Sequence, residues 1–151
     1  MDLEAIEAIR MLKHRYFRLL DTKRFVELGA LLTDDVTTSF QSGELAFTGR
    51  DAVVQFLTES LGSPTVISLH NGHHPEITLT GSDSATGTWY LEDRVIVPAR
   101  HFEIWGTAIY NDEYAKVDGA WKIRHTGYDR IFEEHRRRSS DNVVTFSSRF
   151  D

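Results

Sequence analysis

The sequence contains no cysteine in its 151 residues. That excludes disulfides, thiol nucleophiles and thiolate metal sites. It also fits a reducing compartment, and the cytoplasm is the expected location. Proline is scarce, with three in the chain, and no segment is repeated or of low complexity. No apolar run approaches the roughly 18 residues that would cross a bilayer as a helix. Positive charge is in deficit, with 17 Lys and Arg against 23 Asp and Glu, for a net charge of −6. Phosphate backbones are held by clustered cations, so nucleic acid is not an expected partner. The one basic run, Arg136-Arg137-Arg138, follows Glu133-Glu134 and reads as a solvated chain end. A glycine-rich phosphate loop and a Gly-x-Ser-x-Gly elbow are both missing. The opening Met1-Asp2-Leu3-Glu4 is acidic and begins an amphipathic segment, unlike a secretory leader.

What is present is enough apolar material for one core. Hydrophobic residues make up 40%, including nine Phe, five Tyr and three Trp. The length suits one domain. In residues 2–20, Ala5, Ile9, Leu12, Tyr16 and Leu19 recur at steps of four and three, which is one stripe of a helix. Arg10, Lys13, Arg15 and Arg18 are expected on its wet side. A second short helix is expected over 23–32, with Asp21 or Thr22 as its N-cap, and a turn at Thr33-Asp34-Asp35. A strand at 36–40 and a short return strand at 45–48 precede a third helix at 50–61, stopped by Gly62-Ser63-Pro64. Strands follow at 65–69, 76–80, 85–97, 102–117 and 121–132, with a hairpin signal at Asp118-Gly119. Helices first and then a long antiparallel meander make an α+β chain. Residues 1–134 are expected to form the domain. Residues 135–151 are expected to be a tail, flexible or docked on a pocket or a neighbouring subunit.

Two polar stretches stand out against this frame. Tyr16 and Asp21 close the first helix, and His70, His73 and His74 cluster in the stretch Leu69–Ile77 after the third helix. Each has a plain alternative. Tyr16 fits a core aromatic, Asp21 fits a helix cap, and His70 fits a hydrogen-bonded core histidine. His73 is expected to point inward past a bulge at Asn71-Gly72, with His74 and Glu76 outside. A metal reading of His70-x-x-His73-His74 lacks a third ligand at a diagnostic spacing, so no metal site and no cofactor are expected.

Three motifs together carry a resemblance. Residues 8–21 resemble the opening of the SnoaL-like group of NTF2-like proteins. Leu69–Ile77 is similar to that group's histidine-bearing strand, and Gly106–Trp121 is similar to its last hairpin. The resemblance implies a cone-shaped α+β fold, with three helices packed on a strongly curved, mainly antiparallel sheet. Within it, the chain most resembles dehydratases of the bile-acid and scytalone type, and Tyr16, Asp21 and His70 match positions used by the bile-acid type. The second histidine of the scytalone type is absent, since the corresponding stretch reads Thr88-Trp89-Tyr90-Leu91. His73 or Tyr90 is the substitute on offer.

The function implied is a cofactor-independent lyase or isomerase for a small apolar or polycyclic carbonyl or hydroxyl compound. Its catalytic set would be Tyr16, Asp21, His70 and His73. Phe40, Phe56, Trp89, Trp105, His101 and Tyr110 would surround the ligand. The alternatives are a noncatalytic ligand-binding or assembly module and a small structural subunit of a ring-hydroxylating oxygenase. A homodimer or homotrimer is expected, with no membrane partner.

Overall fold

The structure is a computed structural model, and it describes residues 1–146. Helix α1 spans Leu3–Asp21, and Asp2 caps it by accepting the Ala5 N–H at 3.0 Å. The expected stripe is buried, and Phe17 and Leu20 widen it. One expectation fails here. Lys13 is fully buried, because its ammonium meets the Asp112 carboxylate at 2.7 Å.

Helix α2 is only Phe25–Gly29. Its expected last turn is lost because Leu32 already opens strand β1, Leu32–Phe40. The Leu31 carbonyl accepts the Ile123 N–H at 2.9 Å, so pairing with a distant strand overrides local helix propensity. Thr33, Asp34 and Asp35 therefore lie within β1 rather than in a turn, where the register with its neighbour slips. Strand β2 is Leu45–Thr48, and α3 is Arg50–Leu61.

The two strands expected after α3 are one strand, β3, over Ile67–Leu79. Its bulge falls between His73 and Glu76, with His74 at φ 50°, and not at Asn71-Gly72. Strands β4 (Ser84–Val97), β5 (Phe102–Val117) and β6 (Ala120–Arg137) complete the meander. Asp118 and Gly119 both take positive φ in the β5–β6 turn, as a tight hairpin requires.

The sheet order is β2-β1-β6-β5-β4-β3. All pairs are antiparallel except β1 with β6. This is an α+β architecture of three helices on a six-stranded curved mixed sheet. Buried residues of α1 and the inner faces of β4, β5 and β6 form one core, which includes Ile9, Tyr16, Trp89, Tyr110 and Ile123. No helix among the described residues is long and apolar enough to cross a membrane.

Strand β6 runs three residues past the expected domain end, to Arg137. Beyond it, the Arg138 N–H donates to the His101 carbonyl at 2.7 Å. Its guanidinium holds Glu103 and reaches the Asn142 carbonyl at 3.3 Å. Glu103 is adjacent to the cavity-lining Ile104, so strand alternation turns it to the other face. The first residues of the tail are thus tied away from the cavity. Residues 147–151 of the expected tail lie outside the described residues.

Candidate active site

The end of α1 lies over β3, one of the two edge strands of the sheet. Asp21, the last residue of the helix, turns its carboxylate onto that strand. Oδ2 accepts the backbone N–H of His70 at 2.8 Å. Oδ1 accepts the Ser68 hydroxyl at 2.9 Å and meets His70 Nδ1 at 2.6 Å. With both oxygens engaged, the carboxylate fixes the imidazole's orientation and favours the tautomer with hydrogen on Nδ1. Nε2 is then the basic nitrogen. The capping alternative for Asp21 does not occur, since Arg24 is the N-cap residue of α2 and no side chain caps that helix.

Packing holds the ring from the other side. Phe17 stacks on His70, with centroids 6.5 Å apart and planes 11° from parallel. Phe17 fits there because residue 72 is glycine. A Cβ at Gly72 would lie 2.3 Å from Phe17 Cε2. Lys23 secures the rim. Its ammonium donates to the Leu61 carbonyl and, at 2.7 Å, to the Val66 carbonyl, so it ties the end of α3 to the start of β3.

Tyr16 and His70 face a cavity of about 290 Å³. Leu20, Phe40, Phe56, Leu57, Val95 and Ile104 supply apolar wall, and Tyr110 and Tyr128 add two more phenols. Burial, reinforced by the negative charge of Asp112, pushes the Tyr16 hydroxyl well above its ordinary pKa. Burial does the same to Tyr110, so both phenols stay protonated and can donate near neutral pH.

A second polar group closes the cavity. Asp93 stands opposite His70 in the β3–β4 register. Arg130 grips Asp93 with two bonds, at 2.5 and 3.0 Å, and also contacts Glu133 at 3.3 Å. The guanidinium passes over Gly106, where a Cβ would lie 2.9 Å from Arg130 Nη1.

The SnoaL-like domain profile matches residues 1–127. The chain belongs to the SnoaL-like domain family.

Solved structures agree on the fold. A scytalone dehydratase-like protein from Novosphingobium aromaticivorans superposes with a TM-score of 0.82 at 22% identity, covering 97% of each chain. A hexachlorocyclohexane dehydrochlorinase from Novosphingobium barchaimii gives 0.78 at 17% identity, covering 89% of this chain and 91% of that one. ActVI-ORFA from Streptomyces coelicolor gives 0.72 at 14% identity, covering 85% and 98%.

Within this SnoaL-like fold, the residues singled out from sequence separate into two sets. Tyr16, His70, Phe40, Phe56 and Tyr110 line the cavity, and Asp21 backs His70 directly. The other four lie elsewhere. His73 is exposed beside His74, because three steps from His70 reverses the strand face and the bulge comes too late to restore it. Trp89 is inward but sits in the filled part of the core, where its N–H donates to the Tyr114 hydroxyl at 2.9 Å. Trp105 lies on the outer face, against Phe132 and beneath the Arg136 guanidinium. His101 is exposed at φ 53° in the turn after Pro98–Arg100.

Sequence reasoning missed Arg130, Asp93, Glu133 and Tyr128. One signal was present, since Asp93 shares strand parity with Trp89 and so was due to face inward. Among the described residues no cluster of three or more His, Asp or Glu could hold a metal ion.

Proposed function

We propose that this SnoaL-like protein is a lyase of the dehydratase type, acting on a small ring compound that carries a carbonyl and a β-hydroxyl. The observation that carries the reading is the direct 2.6 Å contact between Asp21 and His70, at the wall of a largely apolar cavity that also holds protonated phenols. His70 Nε2 removes the proton from the carbon beside the carbonyl. The C–H electron pair moves into the carbonyl, and the developing enolate oxygen accepts hydrogen bonds from the phenols. The enolate then re-forms its carbonyl and makes the carbon–carbon double bond as the β-carbon–oxygen bond breaks. His70 returns its proton to the departing oxygen, and water leaves. Asp21 keeps the ring oriented and stabilises the transient imidazolium.

These roles need only groups the chain supplies. An isomerase would use the same first step and return the proton to a different carbon. The names of two structural relatives, a dehydratase and a dehydrochlorinase, also denote eliminations. Their identities support the fold, so the reaction rests on the site.

The test is enone formation from cyclic β-hydroxy ketones, followed by ultraviolet absorbance. The unsubstituted protein should accelerate it, and His70→Ala should not. Equal rates for the two proteins would refute the proposal. Ligand binding without any elimination would favour the noncatalytic module.

A further inference from the structure

Lys13 has no part in the reaction above, yet it is the only lysine or arginine fully buried among the described residues. Its ammonium is anchored by the Asp112 carboxylate at 2.7 Å and by the Thr126 hydroxyl at 3.2 Å. Asp112 is held in turn by the Tyr114 hydroxyl at 2.8 Å. Three aromatic rings also lie close to the ammonium. It lies 3.7 Å from the ring centroid of Tyr110, 4.8 Å from that of Tyr16 and 5.1 Å from that of Phe17. Tyr16 and Tyr110 are two of the phenols that line the cavity, and Phe17 is the ring stacked on His70.

Taking a lysine out of water is costly, and an apolar residue of similar volume often serves stability as well or better. A cation on a ring face, however, does two things an apolar residue cannot. It fixes the ring by attraction to the π cloud. It also favours negative charge gathering at the ring's oxygen, which strengthens that hydroxyl as a donor.

We propose that Lys13 is a positioning residue for the cavity, its ammonium holding Tyr16 and Tyr110 as hydrogen-bond donors toward an oxygen of the bound ligand. The inference rests on reading the cavity as a site for ring compounds with a polar oxygen. It does not require turnover.

The test replaces the charge pair while keeping its shape. Lys13→Met alone strands the Asp112 carboxylate and is expected to disrupt folding. Combined with Asp112→Asn it leaves net charge unchanged and keeps an acceptor for Tyr114. Binding of ring-substituted phenols of graded acidity is measured by calorimetry. In the unsubstituted protein, affinity should depend steeply on the charge carried by the phenol oxygen. In the double variant, the best ligand should bind about tenfold more weakly and the dependence should flatten, consistent with the loss of a buried cation–ring contact. A purely structural role would change all phenols alike and leave the dependence intact, and that result would overturn the proposal.

Thr126→Val removes one anchor and spares the pair, so it keeps the test open should the double variant not fold. It should flatten the dependence in the same direction, and no change would also overturn the proposal. Failure of the unsubstituted protein to bind any phenol would overturn it together with the ring-binding reading. Phenol binding without elimination activity would sink only the reaction.

Discussion

Gly72→Ala should disturb the candidate site through Phe17. An alanine Cβ would lie 2.3 Å from Phe17 Cε2, 2.9 Å from Cζ and 3.2 Å from Cδ2. Carbon atoms at rest keep about 3.5–4.0 Å, so the ring or the strand must shift by more than about 1 Å. The ring has little room. It is stacked on His70 and meets Tyr16 and Tyr110 edge-on, at 5.6 and 5.8 Å between centroids. Overpacking of this kind costs about 1–3 kcal/mol. In a chain of this size, where 1 kcal/mol moves Tm by about 2–4 °C, that corresponds to a drop of roughly 2–12 °C.

Because the displaced ring supports His70, the elimination proposed above should fall more than stability does, by about tenfold or more, since small misplacements of reacting groups are costly. The assay is a double-mutant cycle with Phe17→Leu, which removes the ring edge that clashes. The combined variant should regain stability relative to Gly72→Ala alone. Additive losses, with no coupling between positions 17 and 72, would refute the packing argument.

Two further outcomes follow from the two carboxylates Asp21 and Glu103. Asp21→Asn keeps the shape of the carboxylate but cannot accept from Ser68, the His70 N–H and His70 Nδ1 together. It should lose about 1–3 kcal/mol in urea unfolding and slow any elimination about a hundredfold to ten-thousandfold. Activity within a factor of two of the unsubstituted protein would count against Asp21 as the orienting group.

Glu103 supplies a dependence on pH. Burial alone would raise its pKa, but the hydrogen bonds and charges of Arg94 and Arg138 outweigh that and hold it below the ordinary 4.5. A folded-state pKa below the unfolded one gives stability that is present above the unfolded value and is lost as pH falls through the folded value. Glu103→Gln should therefore destabilise the protein at neutral pH, and its deficit should shrink as pH drops below 4.5. A deficit that stays constant through that acid range in urea titrations would contradict the assignment.

Much of the architecture was legible because local signals agreed with the tertiary ones. The third helix spans the expected residues 50–61, and Asp118-Gly119 makes the expected hairpin. The helix stripe gave Tyr16 its inward direction, and Tyr16, Asp21 and His70 do come together. The misses have physical causes. Lys13 was assigned to the wet face because periodicity treats every lysine as solvated, although it lies between Ile9 and Tyr16 on the buried side. Its partner Asp112 is 99 residues away, and no local pattern reports it. The last turn of α2 was lost to parallel pairing between β1 and β6, which is equally nonlocal. On β5, Phe102, Ile104 and Trp105 are apolar on both faces, so alternation did not give the strand phase, and Trp105 was placed inside while Ile104 occupies the cavity wall. Arg130 reaches Asp93 across a strand only because Gly106 has no side chain, a relation visible only once the register is known.

In the proposed reaction His70, oriented by Asp21, moves a proton at a carbon beside a carbonyl. Solvent exchange tests it most directly and needs no knowledge of the natural substrate. A bicyclic ketone small enough for the cavity, such as 2-tetralone, is incubated in deuterium oxide, and deuterium incorporation is followed by proton NMR. The protein should accelerate exchange of the protons beside the carbonyl, and His70→Gln should reduce the rate to that of buffer. Equal acceleration by the two proteins would contradict the account.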